Sequence, residues 1–288
     1  MIRWLERFRR RVHPLHHLRR VPPVMWIRSR IDRPWLIRID GIPHPVAVRL
    51  GRNLGTVLSS GLAEEREERD LLIRLSRANH CRVFWDVGAN YGLFTFGLRA
   101  GLADVQIEAF EPDPDYVALL HQTLALSGPE RVRVHPFALS DKSGIVRFQR
   151  DLASGSTGTL LVARLAPGDS GDGAVGPGII DVMASTMDAE SARVVPPDLL
   201  KIDVEGAELA VLSGGKATIQ AGMPIILLEC TDQQVEVRRL LESLGYEVRD
   251  PRRPTARVDG PGMPFMALAV DPSRHRLGDA PILTGGPG

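Results

Sequence analysis

Val83-Phe84-Trp85-Asp86-Val87-Gly88-Ala89-Asn90-Tyr91-Gly92 is the stretch from which the fold of this chain can be read. An apolar run ends in a carboxylate, turns on glycine and enters a helical segment that starts at Leu93. A buried strand, a turn without Cβ atoms in the way and a helix N-terminus thereby enclose one crevice, a setting that suits a nucleoside-bearing cofactor. Glu111 follows Gly88 by 23 residues. That is close to the spacing at which a second strand end offers a carboxylate to ribose hydroxyls.

Outward from this stretch, strands alternate with helices, which argues for a largely parallel, doubly wound sheet. The pattern predicts strands over 82–87, 105–110, 131–138, 198–203, 225–230, 245–249 and 264–270. It predicts helices over 62–79, after Asp113 with Gly128 as a stop, and after Asp232 with Gly245 as a stop. Between the third and fourth strands, Ile145–Phe148 and Thr159–Val162 read as an antiparallel pair, and 166–178 as a mobile glycine-rich loop. Upstream, Trp35–Ile39 and Val46–Leu50 read as two short strands around a glycine/proline turn. The expected division is a basic leader with a short β extension over 1–60, a main domain over 61–273 and a disordered tail over 274–288.

At 288 residues, 43% hydrophobic and 25% charged, the chain has the composition of a water-soluble globular protein, with no apolar run near the ~20 residues that span a bilayer. Two cysteines, Cys81 and Cys230, are too few for a disulfide framework and fit a reducing cytoplasm. The net charge of +1 conceals an asymmetry: residues 1–30 hold nine arginines against Glu6, a net of +8, which leaves −7 for residues 31–288. Trp4, Leu5, Phe8, Val12 and Leu15 recur among those arginines at helical spacing. Two readings stand for this leader: weak attachment to an anionic membrane surface or polymer, and a solvated arm packed on the main domain. Nucleic acid is not expected as substrate, because the main portion is acidic and aromatic residues number 15 of 288.

Glycine spacing selects the cofactor. A dinucleotide fingerprint needs G-x-G-x-x-G, whereas the position two after Gly88 is Asn90 and the position three further on is Leu93. Asp86 beside the turn would also repel a pyrophosphate. S-adenosylmethionine, cationic and free of phosphate, fits better, with Asp86 favouring its sulfonium or amino group. The alternatives are an NAD-type oxidoreductase and a non-catalytic protein that binds the cofactor.

The ordered series Asp86 to Gly92, Glu108 to Asp113, Ala138 to Asp141 with Gly144, Ser185 to Asp188, and Leu200 to Glu208 resembles the FkbM family of S-adenosylmethionine-dependent methyltransferases over about residues 80–250. The resemblance implies a class I methyltransferase (Rossmann-like) fold: a doubly wound seven-stranded sheet with its last strand antiparallel, here with a small N-terminal extension. It implies O-methylation of a hydroxyl on a sugar, glycolipid or secondary metabolite. It places Asp86, Gly88, Asn90 and Gly92 around the methionine part of the cofactor, and Glu111 on the ribose. Asp113 and Ala138 then fall near the adenine.

Ligands of open α/β sheets bind beyond the carboxyl ends of the strands. Lys201, Asp203 and Glu205 alternate along one strand and its exit, so extended geometry puts them on one face. Such groups are costly in a central strand unless paired or wet. The catalytic reading is that Asp203 and Glu205 orient an acceptor hydroxyl and draw off its proton. The structural reading is an ion pair of Lys201 with Asp203 or Glu229. Asp203, Glu205 and Glu229 also form a carboxylate set suited to magnesium or calcium, but no metal is assigned. His135 is read as a satisfied core-edge histidine in preference to a base. The hydroxyls of Ser154–Gly158 and the loop to Gly178 are read as an acceptor lid or as plain surface turns.

Overall fold

The computed structural model describes residues 22–53, 57, 65–128, 130–150, 158–161, 178–258 and 260–277. The leader up to residue 21, residues 154–157, the stretch 166–177 and the tail from 278 lie outside the described residues. Because Val83–Val87 is buried at every position, it forms a strand covered on both faces, β3, at the centre of the main sheet. Around it stand β4 (Gln106–Phe110), β5 (Val132–His135), β10 (Leu199–Ile202) and β11 (Ile225–Glu229), all parallel. β14 (Met266–Val270) inserts antiparallel between β11 and β12 (Glu247–Asp250), and β13 (Arg253–Arg257) pairs outside β12. The order is β13-β12-β14-β11-β10-β3-β4-β5. Without β13 this is the seven-stranded arrangement with an antiparallel last strand that the resemblance implies. The order reverses between β3 and β10, so the ligand crevice belongs at their carboxyl ends.

Alternate residues of each strand feed two apolar layers. Phe84, Ile107, Leu199, Leu227 and Leu268 pack beneath α2 (Arg66–Ala78), α3 (Leu93–Gly101) and α4 (Pro114–Ser127). Trp85, Leu200, Ile202, Ile226 and Leu228 pack against α6 (Glu208–Ser213), α7 (Lys216–Gly222) and α8 (Gln234–Ser243). β1 (Pro34–Ile37) and β2 (Val46–Arg49) form the expected hairpin, preceded by α1 (Pro22–Ile31). Val46, Ala47 and Val48 share the first layer, and the Ala47 amide donates to Thr123 Oγ1 at 2.9 Å, which fastens the hairpin to α4.

The predicted third strand, 131–138, is split. β5 ends at His135, Pro136 offers no N–H to a ladder, and Ala138–Leu139 (β6) joins a second sheet of order β6-β9-β7-β8. In that sheet β7 (Gly144–Arg150) pairs antiparallel with β8 (Gly158–Leu161), as expected. The pattern missed β9 (Ile179–Ser185), which lies between β6 and β7. It also missed α1, α6, α7, β13 and α5 (Met187–Ser191), which is capped by Thr186 Oγ1.

Candidate active site

The turn after β3 is shaped by what presses on it. Gly88 has φ +80, and a Cβ there would lie 1.9 Å from the Asp203 carbonyl oxygen, so the exit of β10 rests directly on the turn. The Gly88 and Ala89 amides both donate to Phe110 O, tying the turn to the end of β4. Asn90 takes a left-handed conformation, φ +53, and its amide donates to Glu111 Oε2 at 2.7 Å. The Asp113 amide donates to Glu111 Oε1 at 2.8 Å. Burial nevertheless pushes the Glu111 carboxyl up to about 8. Gly92, φ +89, opens α3.

Asp86 does not face solvent. Thr95 Oγ1 donates to its Oδ2 at 2.6 Å, while Oδ1 is buried without a hydrogen-bond partner among the described residues, 3.9 Å from Lys201 Nζ. Burial raises its pKa, against the opposing pull of Lys201 and Thr95. Asp113 is placed chiefly by structure: it is the N-cap of α4, accepting from the Asp115 amide at 2.9 Å, and it pairs with Arg150 at 2.7 Å and with Arg52 at 3.6 Å. Ala138 lies in β6, buried with Phe148, Val182 and Ala184. His135 is bonded to Glu108 at 2.6 Å and stacked on Phe110.

The second half of the site grows from β10. Parallel register sets Lys201 between Asp86 and Leu227, so Glu229, two residues beyond Leu227, ends beside the exit of β10. Lys201 Nζ donates to Asp203 Oδ2 at 3.0 Å and lies 4.5 Å from the Phe94 ring centroid. Burial acts to lower its pKa, but Asp203, Asp86 and Glu65 outweigh burial and hold the ammonium above the usual lysine range.

The expected extended alternation stops at Asp203. β10 ends at Ile202 and Glu205 turns left-handed, φ +50. Through that turn, not along a strand face, Glu205 still reaches its neighbours: carboxylate oxygens of Asp203, Glu205 and Glu229 lie within 4.8 Å of one another. Burial and the charges of Asp203, Glu205 and Glu65 hold the Glu229 carboxyl well above the usual range, at about 8. Glu65, at the N-cap of α2, is the member that sequence reasoning missed; its charge acts on both Lys201 and Glu229. Its only signal was a place at the head of a charged helix.

One buried cation thus stands among carboxylates at the ends of two neighbouring strands, beside a glycine turn with a buried carboxylate of its own. Such an arrangement can hold a polyhydroxylated group on one side and move a proton on the other.

The methyltransferase FkbM domain family matches residues 86–248, from the carboxylate of β3 into β12. A hexuronic acid methyltransferase, AglP, of Haloferax volcanii is 30% identical over 159 residues, which are 54% of this chain and 59% of that protein. The chain therefore spans less than two thirds of the length of that curated relative. Among solved structures, a methyltransferase FkbM from Methylobacillus flagellatus KT is similar at 15% identity and a TM-score of 0.44, over 86% of this chain and 58% of that one. A precorrin-6y C5,15-methyltransferase from Geobacter metallireducens GS-15 is similar at 15% identity and a TM-score of 0.41, over 71% and 87%. With more than half its length matched, and with the turn, Glu111 and the β10–β11 carboxylates all inside the match, the chain belongs to the FkbM methyltransferase family.

Proposed function

We propose that this chain is an S-adenosylmethionine-dependent O-methyltransferase that acts on a hydroxyl of a carbohydrate. The observation that carries the reading is the juxtaposition of the β3 turn and Glu111 with the Lys201–Asp203–Glu205–Glu229 corner on the adjoining strand ends. The donor side fits the cofactor. Each oxygen of Glu111 accepts one backbone amide, which leaves a lone pair on both for a ribose diol. The Gly88 turn is closed from behind by Asp203 O, and Asn90 stands where a dinucleotide fingerprint has its second glycine, which disfavours a pyrophosphate. The acceptor assignment draws on the hexuronic acid named for the Haloferax relative.

When bound, S-adenosylmethionine supplies a methyl group already activated by its sulfonium. What the protein adds is alignment, worth up to ~7–11 kcal/mol in well-oriented model reactions. Lys201 pins Asp203 by a charge-assisted bond, so that carboxylate is fixed as an acceptor for the substrate O–H. Glu229, with a pKa of about 8, is matched to take up the hydroxyl proton near neutral pH. Glu205 and Glu65 raise its affinity for that proton.

Incubation with radiolabelled methyl donor and extracts fractionated into glycans, lipids, small metabolites, protein and tRNA tests the proposal. Label is expected in the glycan fraction, or in a sugar-bearing lipid or metabolite. Label only in protein or tRNA would overturn the substrate assignment; stabilisation by NAD but not by S-adenosylhomocysteine would overturn the cofactor assignment as well.

A further inference from the structure

A helix on a protein surface ordinarily turns apolar side chains inward and charged ones to water. Trp26, Ile27 and Arg28 of α1 do the reverse. Trp26 and Ile27 are 59% and 51% exposed, while Arg28 is 6% exposed. Arg28 is drawn inward by carbonyls: its Nε donates to Gly51 O at 2.8 Å and its Nη2 to Arg52 O at 2.9 Å. Gly51 permits this approach, since a Cβ there would lie 2.2 Å from Arg28 O. The helix is thus fastened by polar bonds, and its indole and aliphatic side chain are left outside. The hairpin repeats the pattern. β2 is buried at Val46, Ala47 and Val48, whereas Trp35 and Leu36 of β1 are 45% and 42% exposed.

Each exposed indole carries a guanidinium. Arg30 Cζ lies 4.9 Å from the Trp26 ring centroid, and Arg33 Cζ lies 5.5 Å from that of Trp35. The sole acid between residues 22 and 38 is Asp32, which is engaged by Arg49 and Arg52. Seven arginines at positions 3, 7, 9, 10, 11, 19 and 20 immediately precede α1 in sequence. Tryptophan and arginine side by side, with aliphatic neighbours and no free acid, match the boundary between lipid headgroups and acyl chains. There an indole sits at headgroup depth and a guanidinium reaches back to phosphate.

We propose that α1 docks on an anionic phospholipid surface, with Trp26 and Ile27 entering the headgroup layer and Arg30 on a lipid phosphate, and with Trp35 and Arg33 at the head of the hairpin as a second such pair, Leu36 pointing to the other face of β1. These pairs lie outside the methyl-transfer site, so their test is independent of the reaction assigned above. No helix among the described residues is long and apolar enough to cross a membrane.

Flotation of the full chain with phosphatidylcholine vesicles, with and without about one-third phosphatidylglycerol, reads the proposal directly. The wild-type chain is expected to float with the anionic vesicles and to stay behind with neutral ones. The pair Trp26→Ala and Trp35→Ala should lower the partition coefficient roughly tenfold or more, with an unchanged melting temperature. The pair Arg30→Gln and Arg33→Gln should lower it about twenty-fivefold at low salt, about fivefold per basic group. Equal flotation of wild type and both double variants would overturn the proposal, because the preceding arginines alone would then account for binding. Retention on heparin without flotation would overturn it in favour of a soluble polyanion. A concentration-dependent dimer that the tryptophan substitutions abolish, again without flotation, would overturn it in favour of a second copy of the chain.

Discussion

The two halves of the site treat their carboxylates in opposite ways. In the β3–β4 half the acids hold donors that the other half does not use: Glu111 two backbone amides and Asp86 Oδ2 the Thr95 hydroxyl, although Asp86 Oδ1 faces Lys201 at 3.9 Å. In the β10–β11 half the acids crowd one another around a single lysine, and Glu229 meets charge from Asp203, Glu205 and Glu65. Backbone donors are fixed by the fold, so the first half is a rigid cradle whose shape survives without a ligand. Like charges drawn together and partly desolvated cost stability, so the second half is a stressed arrangement that folding alone would not favour. The difference separates binding from chemistry, and substitutions should separate them in the same way.

The largest expected effect is at Asp203. Asp203→Ala releases the acceptor hydroxyl from its alignment and should lower turnover by about 10²-fold or more while donor affinity, read by calorimetry with S-adenosylhomocysteine, stays within a few-fold. Loss of donor affinity with turnover kept at saturation would move Asp203 into the cradle and erase the contrast. Glu111→Gln should show the mirror image. Donor affinity falls by about 10–150-fold, the value of one charge-assisted bond at ~1.5–3 kcal/mol, and turnover at saturating donor is largely retained.

A smaller effect follows from Glu229. Its proton-accepting form appears as pH rises through about 8, so turnover should climb across that range and level off above it. Glu229→Gln should flatten the limb as well as lower the rate. The stability consequence has a definite sign. Glu111 and Glu229 both have folded pKa values raised from 4.5 to about 8. The stability they contribute is complete below about pH 4.5 and is lost as pH rises to about 8. The ligand-free melting temperature should therefore fall across that window, and the Gln variant should fall less.

What the sequence made legible follows the same division. β3, β10 and β11 are buried on both faces, so they are written as continuous apolar runs; the expected Lys201–Asp203 pair forms, whereas the approach of Lys201 to Asp86 follows only from the β3–β10 register. The glycine turn was legible because only a Cβ-free residue tolerates Asp203 O at such range. The left-handed turn at Glu205 was not, because a non-glycine residue with positive φ carries no pattern. Glu65 was hidden for another reason: it arrives from a helix in the N-terminal quarter of the chain, and only tertiary packing sets it near Glu229. β9 was obscured by Ile179-Ile180-Asp181-Val182-Met183-Ala184-Ser185, whose outer face carries the exposed Met183 and so blurs the polar/apolar alternation. α1 escaped because Arg28 points in and Trp26 out, which inverts the signal that periodicity detects.

Asp113 gives the smallest effect and bears on where the cradle ends. The family resemblance sets it near the adenine, yet its side chain is occupied as the N-cap of α4 and by Arg150. Asp113→Ala removes the cap and should cost about 0.5–2 kcal/mol in urea unfolding. Asp113→Asn keeps a good capping oxygen and gives up only the ion pairs, so it should cost less. Both variants should bind S-adenosylhomocysteine within about twofold of wild type if the residue acts through the helix alone. A tenfold loss of affinity in the Asn variant, with its unfolding midpoint unchanged, would instead put Asp113 in the cofactor shell. The separation of donors between the halves would then fail at its outermost member, because a carboxylate already serving a cap and an arginine would also be serving a ligand.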